Sequence, residues 1–156
     1  MALTADGQVI CWTSKTALHK LSKVPDAAKE NVIAVSCGTN FVAALTAGGE
    51  VICWGDNSAG QCNVPEAAKE NIAAISCGFR FIIALTADGR VISWGEHDYV
   101  PPEVSNVVSI CCGYMFASAT TAEGRIICWN DNSCTLDKCV NVPEGLVART
   151  GMVVLM

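Results

Sequence analysis

Residues 72–94 read IAAISCGFRFIIALTADGRVISW, and the rest of the chain repeats this pattern. Apolar side chains alternate with a period of two, and the dipeptide Asp88-Gly89 separates two apolar runs. Alternation of this kind predicts β-strands. A glycine between two such runs predicts a hairpin, because glycine supplies the positive φ angle that a tight turn needs. We expect Gly78 to form the turn before the hairpin.

The pattern recurs along the whole chain. Residues 32–54 read VIAVSCGTNFVAALTAGGEVICW, and residues 107–129 read VVSICCGYMFASATTAEGRIICW. The first residues, 2–12, read ALTADGQVICW and join the pattern midway, so tryptophans fall at positions 12, 54, 94 and 129. A unit of a few short strands at this spacing is typical of a β-propeller blade.

The last residues complete the pattern. Gly151 aligns with Gly78, so that Met156 ends where Ala2 begins in the repeat. We predict a single all-β domain of four propeller-type blades, a partial or small propeller. The expected repeats are 2–31 (completed by 145–156), 32–71, 72–106 and 107–144. A blade shared between the two ends of the chain removes exposed sheet edges when a ring closes.

Composition and charge narrow the possible partners and location. Of the 156 residues 51% are hydrophobic and 16% charged, and the net charge is −5. Phosphate binding needs clustered positive charge, so nucleic acid is not an expected partner. No apolar run approaches the roughly 18 residues of a membrane-spanning helix. The N-terminal residues lack the pattern of a signal peptide, so we expect no membrane contact and a cytoplasmic location.

The motif CGxxFxxALTADGRVISWGDNSxGQ, together with WGDNSAGQCNVP at 54–65, resembles the regulator of chromosome condensation repeat, a β-propeller blade. The resemblance covers nearly the whole chain. It implies a function among nucleotide exchange factors for a small GTPase, ubiquitin-ligase modules and inhibitors that cap a β-lactamase. The chain departs from the family in having four blades rather than seven, no long insertion, no basic N-terminal tail, and phenylalanine where family blades often carry histidine, at Phe41, Phe81 and Phe116.

The ten cysteines fall mainly in two repeat phases. Such regular placement predicts buried free thiols that pack as small apolar side chains. The repeated cysteines are Cys37, Cys77 and Cys112 in one phase and Cys11, Cys53 and Cys128 in the other. Cys134 and Cys139 form a disulfide in an oxidising compartment or stay free in a reducing one. A zinc site usually needs two such close pairs, so no metal is expected.

Catalytic patterns are absent from the sequence. His19 and His97 fall in loops, without a serine, cysteine or carboxylate at a diagnostic spacing. No phosphate-binding loop occurs, and turn capping explains Asp56 and Asp131 better than calcium binding does. We therefore expect no enzyme and no cofactor. An enzyme with a Cys or His site assembled on one propeller face is the rival hypothesis.

Positions that differ between the blades are the better candidates for binding. The middle pair of CGxxF is Thr39-Asn40, Phe79-Arg80 and Tyr114-Met115 in successive repeats. Aromatic rings, arginine and methionine in turns are typical of interface anchors, although Phe79 and Tyr114 alternatively cover the next blade. We predict a partner-binding surface at Phe79, Arg80, Tyr114, Met115, His97 and Tyr99. The predicted repeat core consists of Trp12, Trp54, Trp94, Trp129, Cys37, Cys77, Cys112, Gly38, Gly78 and Gly113.

The sequence thus favours a non-catalytic scaffold for protein–protein interaction. A structural subunit of a large assembly is one alternative, and an exchange-factor or enzyme-inhibitor propeller is another. Four blades of ordinary wedge angle span little more than half a ring, so we expect a homodimer that closes one ring. A closed four-bladed monomer is the alternative to that dimer.

Overall fold

The computed structural model describes residues 1–11, 21 and 23–129. Trp12, His19, Cys134, Cys139 and the segment 145–156, which the sequence assigns to a shared blade, lie outside these residues. The described part is almost entirely β-structure, which confirms the predicted all-β class. Among its residues, none of the helices has the length and apolar character needed to cross a bilayer.

Three antiparallel sheets of three strands follow one another along the chain, preceded by a two-stranded hairpin. In each sheet the second strand pairs with both others, as the hairpin signals predict. The N-terminal hairpin is β1 (Ala2–Leu3) and β2 (Val9–Ile10); blade A is β3 (Val32–Cys37), β4 (Phe41–Thr46) and β5 (Val51–Gly55); blade B is β6 (Ile72–Cys77), β7 (Phe81–Thr86) and β8 (Val91–Gly95); blade C is β9 (Val107–Cys112), β10 (Ala117–Thr121) and β11 (Ile126–Trp129). Short 3-10 helices, Asp26–Ala28 and Glu66–Ala68, precede blades A and B.

The hairpin glycines carry both the turn and a contact between blades. Gly49 and Gly89 have φ angles of 80° and 82°, in the left-handed region that favours glycine. The carbonyl oxygen of each hairpin glycine accepts a hydrogen bond from the first amide of the next blade. These bonds join Gly7 to Val32 (3.2 Å), Gly49 to Ile72 (3.2 Å) and Gly89 to Val107 (3.0 Å).

The glycine of the CGxxF motif is required for a different reason. A Cβ atom at Gly78 would lie 2.0 Å from Cε1 of the Phe81 ring, far inside van der Waals contact. The same overlap arises at Gly38 with Phe41 and at Gly113 with Phe116. The phenylalanine therefore packs on the bare glycine backbone, and this contact links the first and last residues of each turn.

The apolar core lies between the blades. Phe41 and Leu45 of blade A pack with Ile82 and Trp94 of blade B in one buried cluster. Equivalent clusters join blade B to blade C and the N-terminal hairpin to blade A. Blades A and B are thus covered by neighbours on both sides, as in repeat proteins generally.

The buried tryptophans tie each blade to an earlier loop by a hydrogen bond. The Trp94 indole nitrogen donates to the main-chain oxygen of Gln61 at 2.9 Å. Trp54 donates to Leu21 at 3.2 Å in the same way, and Trp129 donates to Tyr99 at 3.0 Å. Ring burial and the hydrogen bond together fix the blade against the loop.

The prediction that all repeated cysteines are buried is wrong for Cys37. Cys128 is buried and Cys77 and Cys112 are half-buried, but Cys37 is exposed. The amide of Cys77 donates to Ser36 Oγ of the preceding blade at 3.0 Å, so that blade shields it. The hairpin before blade A has, among the described residues, no strand equivalent to β3, β6 or β9. No serine of a preceding blade therefore shields Cys37 as Ser36 shields Cys77.

Replacing Trp94 by alanine is expected to lower the free energy of unfolding by about 3–5 kcal/mol, because it opens a cavity between blades A and B. Trp94→Phe keeps a ring but leaves the Gln61 carbonyl without its indole donor, which costs about 1–3 kcal/mol. Chemical denaturation followed by circular dichroism measures both losses. The surface control Tyr114→Ala should stay within about 0.5 kcal/mol of the wild type. Equal losses in Trp94→Ala and Tyr114→Ala would contradict the role of the indole.

Candidate functional site

The CGxxF turns of successive blades form a row at one end of the sheets. The amide of Phe79 in blade B donates to the main-chain oxygen of Tyr114 in blade C at 2.9 Å. The amide of Thr39 in blade A donates to the oxygen of Phe79 at 3.4 Å. These hydrogen bonds set the turns side by side, so the variable middle residues of neighbouring blades become neighbours in space.

Four of the predicted binding residues come together in this row. The rings of Phe79 and Tyr114 lie 4.5 Å apart, centroid to centroid, at 35° to each other. The guanidinium carbon of Arg80 lies 5.1 Å from the centre of the Phe79 ring, within the range of a cation–π contact. Tyr114 is 63% exposed and Met115 49%. We call these four residues, Phe79, Arg80, Tyr114 and Met115, the stacked patch.

The stack shows how far these rings cover the next blade. Phe79 is half-buried and does reach across to the next blade, where it contacts Tyr114. Tyr114 itself remains largely open on its outer side. One ring thus supports the other, and the supported ring presents its surface to solvent.

Acidic groups surround the single arginine of the stacked patch. The amide of Glu96 donates to the main-chain oxygen of Arg80 at 3.0 Å, which holds the loop after β8 beside the turn. Asp56 of the preceding loop is held likewise, its amide donating to Asn40 at 2.7 Å. The Ser58 hydroxyl, donating at 2.8 Å, is the main cause that lowers the pKa of the Asp56 carboxyl, and Arg80 adds a smaller effect.

The structure separates the two remaining predicted residues. Tyr99 is 46% exposed, but His97 is only 6% exposed. The imidazole of His97 packs edge-on against the Phe81 ring, with centroids 4.8 Å apart. It lines a small pocket that Met115 also borders. His97 therefore supports the surface from below and does not present its side chain to a partner.

The same pocket tests the rival hypothesis of a catalytic site. Ser93 lies beside His97, but its hydroxyl donates to the main-chain oxygen of His97 at 2.6 Å. That proton is committed to a structural hydrogen bond, whereas a nucleophilic serine donates to the imidazole of its base. Within residues 1–11, 21 and 23–129, no three His, Cys, Asp or Glu side chains are arranged to hold a metal ion.

A sequence profile of the regulator of chromosome condensation (RCC1) repeat matches residues 32–61 and 72–99, which include blades A and B. The structure of yeast RCC1 (Prp20) bound to Kap60 superposes with a TM-score of 0.57 at 19% identity. The superposition covers 69% of this chain and 31% of that one. Blades A and B are RCC1-like repeats.

Two other solved structures share the fold. Human WBSCR16 matches with a TM-score of 0.54 at 21% identity, over 65% of this chain and 35% of that one. The ectodomain of the Physcomitrella patens receptor kinase CR4 matches with 0.56 at 25%, over 65% and 30%. This chain thus spans about a third of the length of each structure. A comparison with curated protein sequences finds no match.

The likeness confirms propeller-type blades in a partial or small propeller. Two residues that hold the blades and loops together, Gln61 and Ser76, were not singled out from the sequence. Gln61, the last residue of the GDNSxGQ part of the RCC1 repeat, is fully buried. Its side-chain amide donates to Asp56 at 3.0 Å, and its side-chain oxygen accepts the amide of Ala59 at 2.8 Å. Ser76, whose hydroxyl accepts the Cys112 amide at 2.9 Å, was detectable because Ser36 repeats in phase with it.

Proposed function

We propose that this chain is a non-catalytic module for protein–protein interaction and that it contacts its partner through the stacked patch and Tyr99. The exposed Tyr114 ring, held from behind by Phe79, is the observation that carries the proposal. Aromatic and arginine side chains dominate binding energy at protein interfaces. A ring already fixed in place also loses little conformational entropy when a partner binds.

The way the patch is held strengthens this proposal. Backbone hydrogen bonds join the turns that carry it, and Phe81 and Phe116 pack on glycines just beneath. The patch is therefore fixed before a partner arrives, whereas an accidental surface ring on a mobile loop would be ordered only on binding.

A solved relative is also known as a binder of proteins. Yeast RCC1 (Prp20) has been crystallised with Kap60, and a second structure of Prp20p is described with its binding to Gsp1p and histones. Those partners belong to Prp20. They support a binding role for RCC1 repeats, and the partner of this chain is to be found by experiment.

Alanine at Phe79 or Tyr114 is expected to weaken partner binding by about 2 kcal/mol, roughly 30-fold in Kd, because each ring is an anchor of the patch. The full chain, immobilised on beads, is used to capture partners from its source cells. The Kd of each captured protein is then measured with purified components. Stability of both variants should change much less than that of Trp94→Ala.

The matched control is Ile33→Ala. Ile33 is 56% exposed, close to the exposure of Tyr114, but it lies at the start of β3, at the opposite end of the blade. It should leave binding unchanged. Equal binding by Tyr114→Ala and wild type, or equal losses in Ile33→Ala and Tyr114→Ala, would place the contact elsewhere.

We further propose that two copies associate to close one ring of about eight blades. Ile10 supports this, because it is 51% exposed on β2. Its equivalents in the other blades, Ile52, Ile92 and Ile127, are half-buried or buried. In a ring, the face that carries Ile10 is covered by a preceding blade, and a second copy supplies one.

Light scattering on the full chain at micromolar concentration tests this association. The expected mass is twice that of one chain, and Ile10→Glu should lower it to the mass of one chain, because a buried unpaired carboxylate opposes the contact. Ile33→Glu places the same charge on an equally exposed side chain and should keep the dimer. A wild-type mass near that of one chain favours the closed four-bladed monomer and refutes the dimer.

A further inference from the structure

Two cysteines of blade A meet at the loop that follows its last strand. Cys53 lies on β5, and Cys62 lies nine residues further along, after the loop has turned back. Asn57 closes this loop, because its side-chain nitrogen donates to Asn63 and its oxygen accepts the amide of Cys62, both at 2.8 Å. The return of the chain brings the second thiol to the first.

Both thiols point into the same small space. Sγ of Cys53 donates to the main-chain oxygen of Gln61 at 3.6 Å, and Sγ of Cys62 donates to that of Asp56 at 3.5 Å. When Cys62 is ionised, the Cys53 thiol is close enough to donate its proton to the Cys62 sulfur instead. Each is half-buried against the core between blades A and B, so a small solute can still reach them.

Blade B does not carry this pair. The position of Cys53 is Ser93 there, and the shorter loop after β8 contains no cysteine. The fold therefore does not require a thiol at either place. Cys62 also stands outside the two repeat phases that hold most of the cysteines.

The two thiols differ in readiness to react. The hydrogen bond with Cys53 lowers the pKa of Cys62, and the same bond, together with burial, raises the pKa of Cys53. Burial raises the pKa of the neighbouring Cys77 to about 12. Since the thiolate is the reactive form, Cys62 is the nucleophile of this group.

We propose that Cys53 and Cys62 are an oxidation site at which hydrogen peroxide forms a disulfide. The Cys62 thiolate attacks one peroxide oxygen, the O–O bond breaks, and hydroxide leaves, which gives a sulfenic acid at Cys62. The sulfur of Cys53 then attacks the sulfenic sulfur and the S–O bond breaks. The Cys53 proton leaves with the hydroxyl as water. Two thiols are oxidised, and one peroxide is reduced to water.

The disulfide joins β5 directly to the loop that holds blade B. Gln61, next to Cys62, is the acceptor of the Trp94 indole. In the reduced protein the loop is held by hydrogen bonds and apolar packing, whereas the oxidised loop is also bonded covalently to the sheet. Oxidation thus fixes the contact between blades A and B.

The test uses the full chain with Cys134→Ser and Cys139→Ser, which removes the one other close pair predicted from the sequence. Equimolar hydrogen peroxide should remove two free thiols per chain and lower the intact mass by about 2 Da, and dithiothreitol should restore both. Trypsin leaves both cysteines on one peptide, since no Lys or Arg lies between Lys29 and Lys69. A second cleavage, on the N-terminal side of Asp56, puts Cys53 and Cys62 on separate fragments. The disulfide should then hold these two fragments together.

Three variants decide the assignment. Cys62→Val should lose no free thiol to equimolar peroxide, and Cys62→Ser serves if that variant does not fold. Cys53→Ser should stop at the sulfenic acid on Cys62, which dimedone labels. Cys77→Ser should form the disulfide as the wild type does. Loss of two thiols in both Cys62 variants, mapping of the bond to other cysteines, or no thiol loss in the wild type overturns the proposal.

Discussion

The contact between one sheet and the next is the interaction on which this structure depends. A three-stranded antiparallel sheet with two apolar faces cannot bury both by itself. Here neighbouring blades cover these faces, and three kinds of hydrogen bond hold the blades together. They are made by the hairpin glycine, by the serine on the first strand of a blade and by the tryptophan indole. The glycine and the tryptophan recur in all three blades, and the serine recurs in blades A and B, whereas blade C has Cys111 at its position.

The candidate surface is a consequence of the same contacts. The hydrogen bond between Phe79 and Tyr114 belongs to the set that aligns the blades, and it also determines which side chains meet at the turn end. The rings are close because the turns are close. A binding surface built this way is as rigid as the interfaces beneath it, and its residues are free to vary because the backbone makes the connection.

Sequence reasoning predicted the strands and turns well because their signals are local. Alternation and hairpin glycines specify each blade, and repetition supplies its neighbour. The exposure of His97 and of Cys37 was predicted wrongly, and for the same reason in both cases. Their exposure depends on what another blade or loop places over them, and a loop histidine or a repeated cysteine looks the same in either setting. The meeting of Cys53 with Cys62 was hidden likewise, because it depends on the path of the loop.

Blade C shows where repetition stops determining the chemistry. The strand positions that carry Ile83 and Leu85 in blade B pack against the next blade. In blade C these positions hold Ser118 and Thr120, and Ser118 is buried with its hydroxyl donating to the Cys111 carbonyl at 3.2 Å. Hydroxyl groups give less energy to a dry apolar contact than leucine or isoleucine do. Covering this face of blade C is therefore expected to stabilise the fold less than the A–B and B–C contacts do.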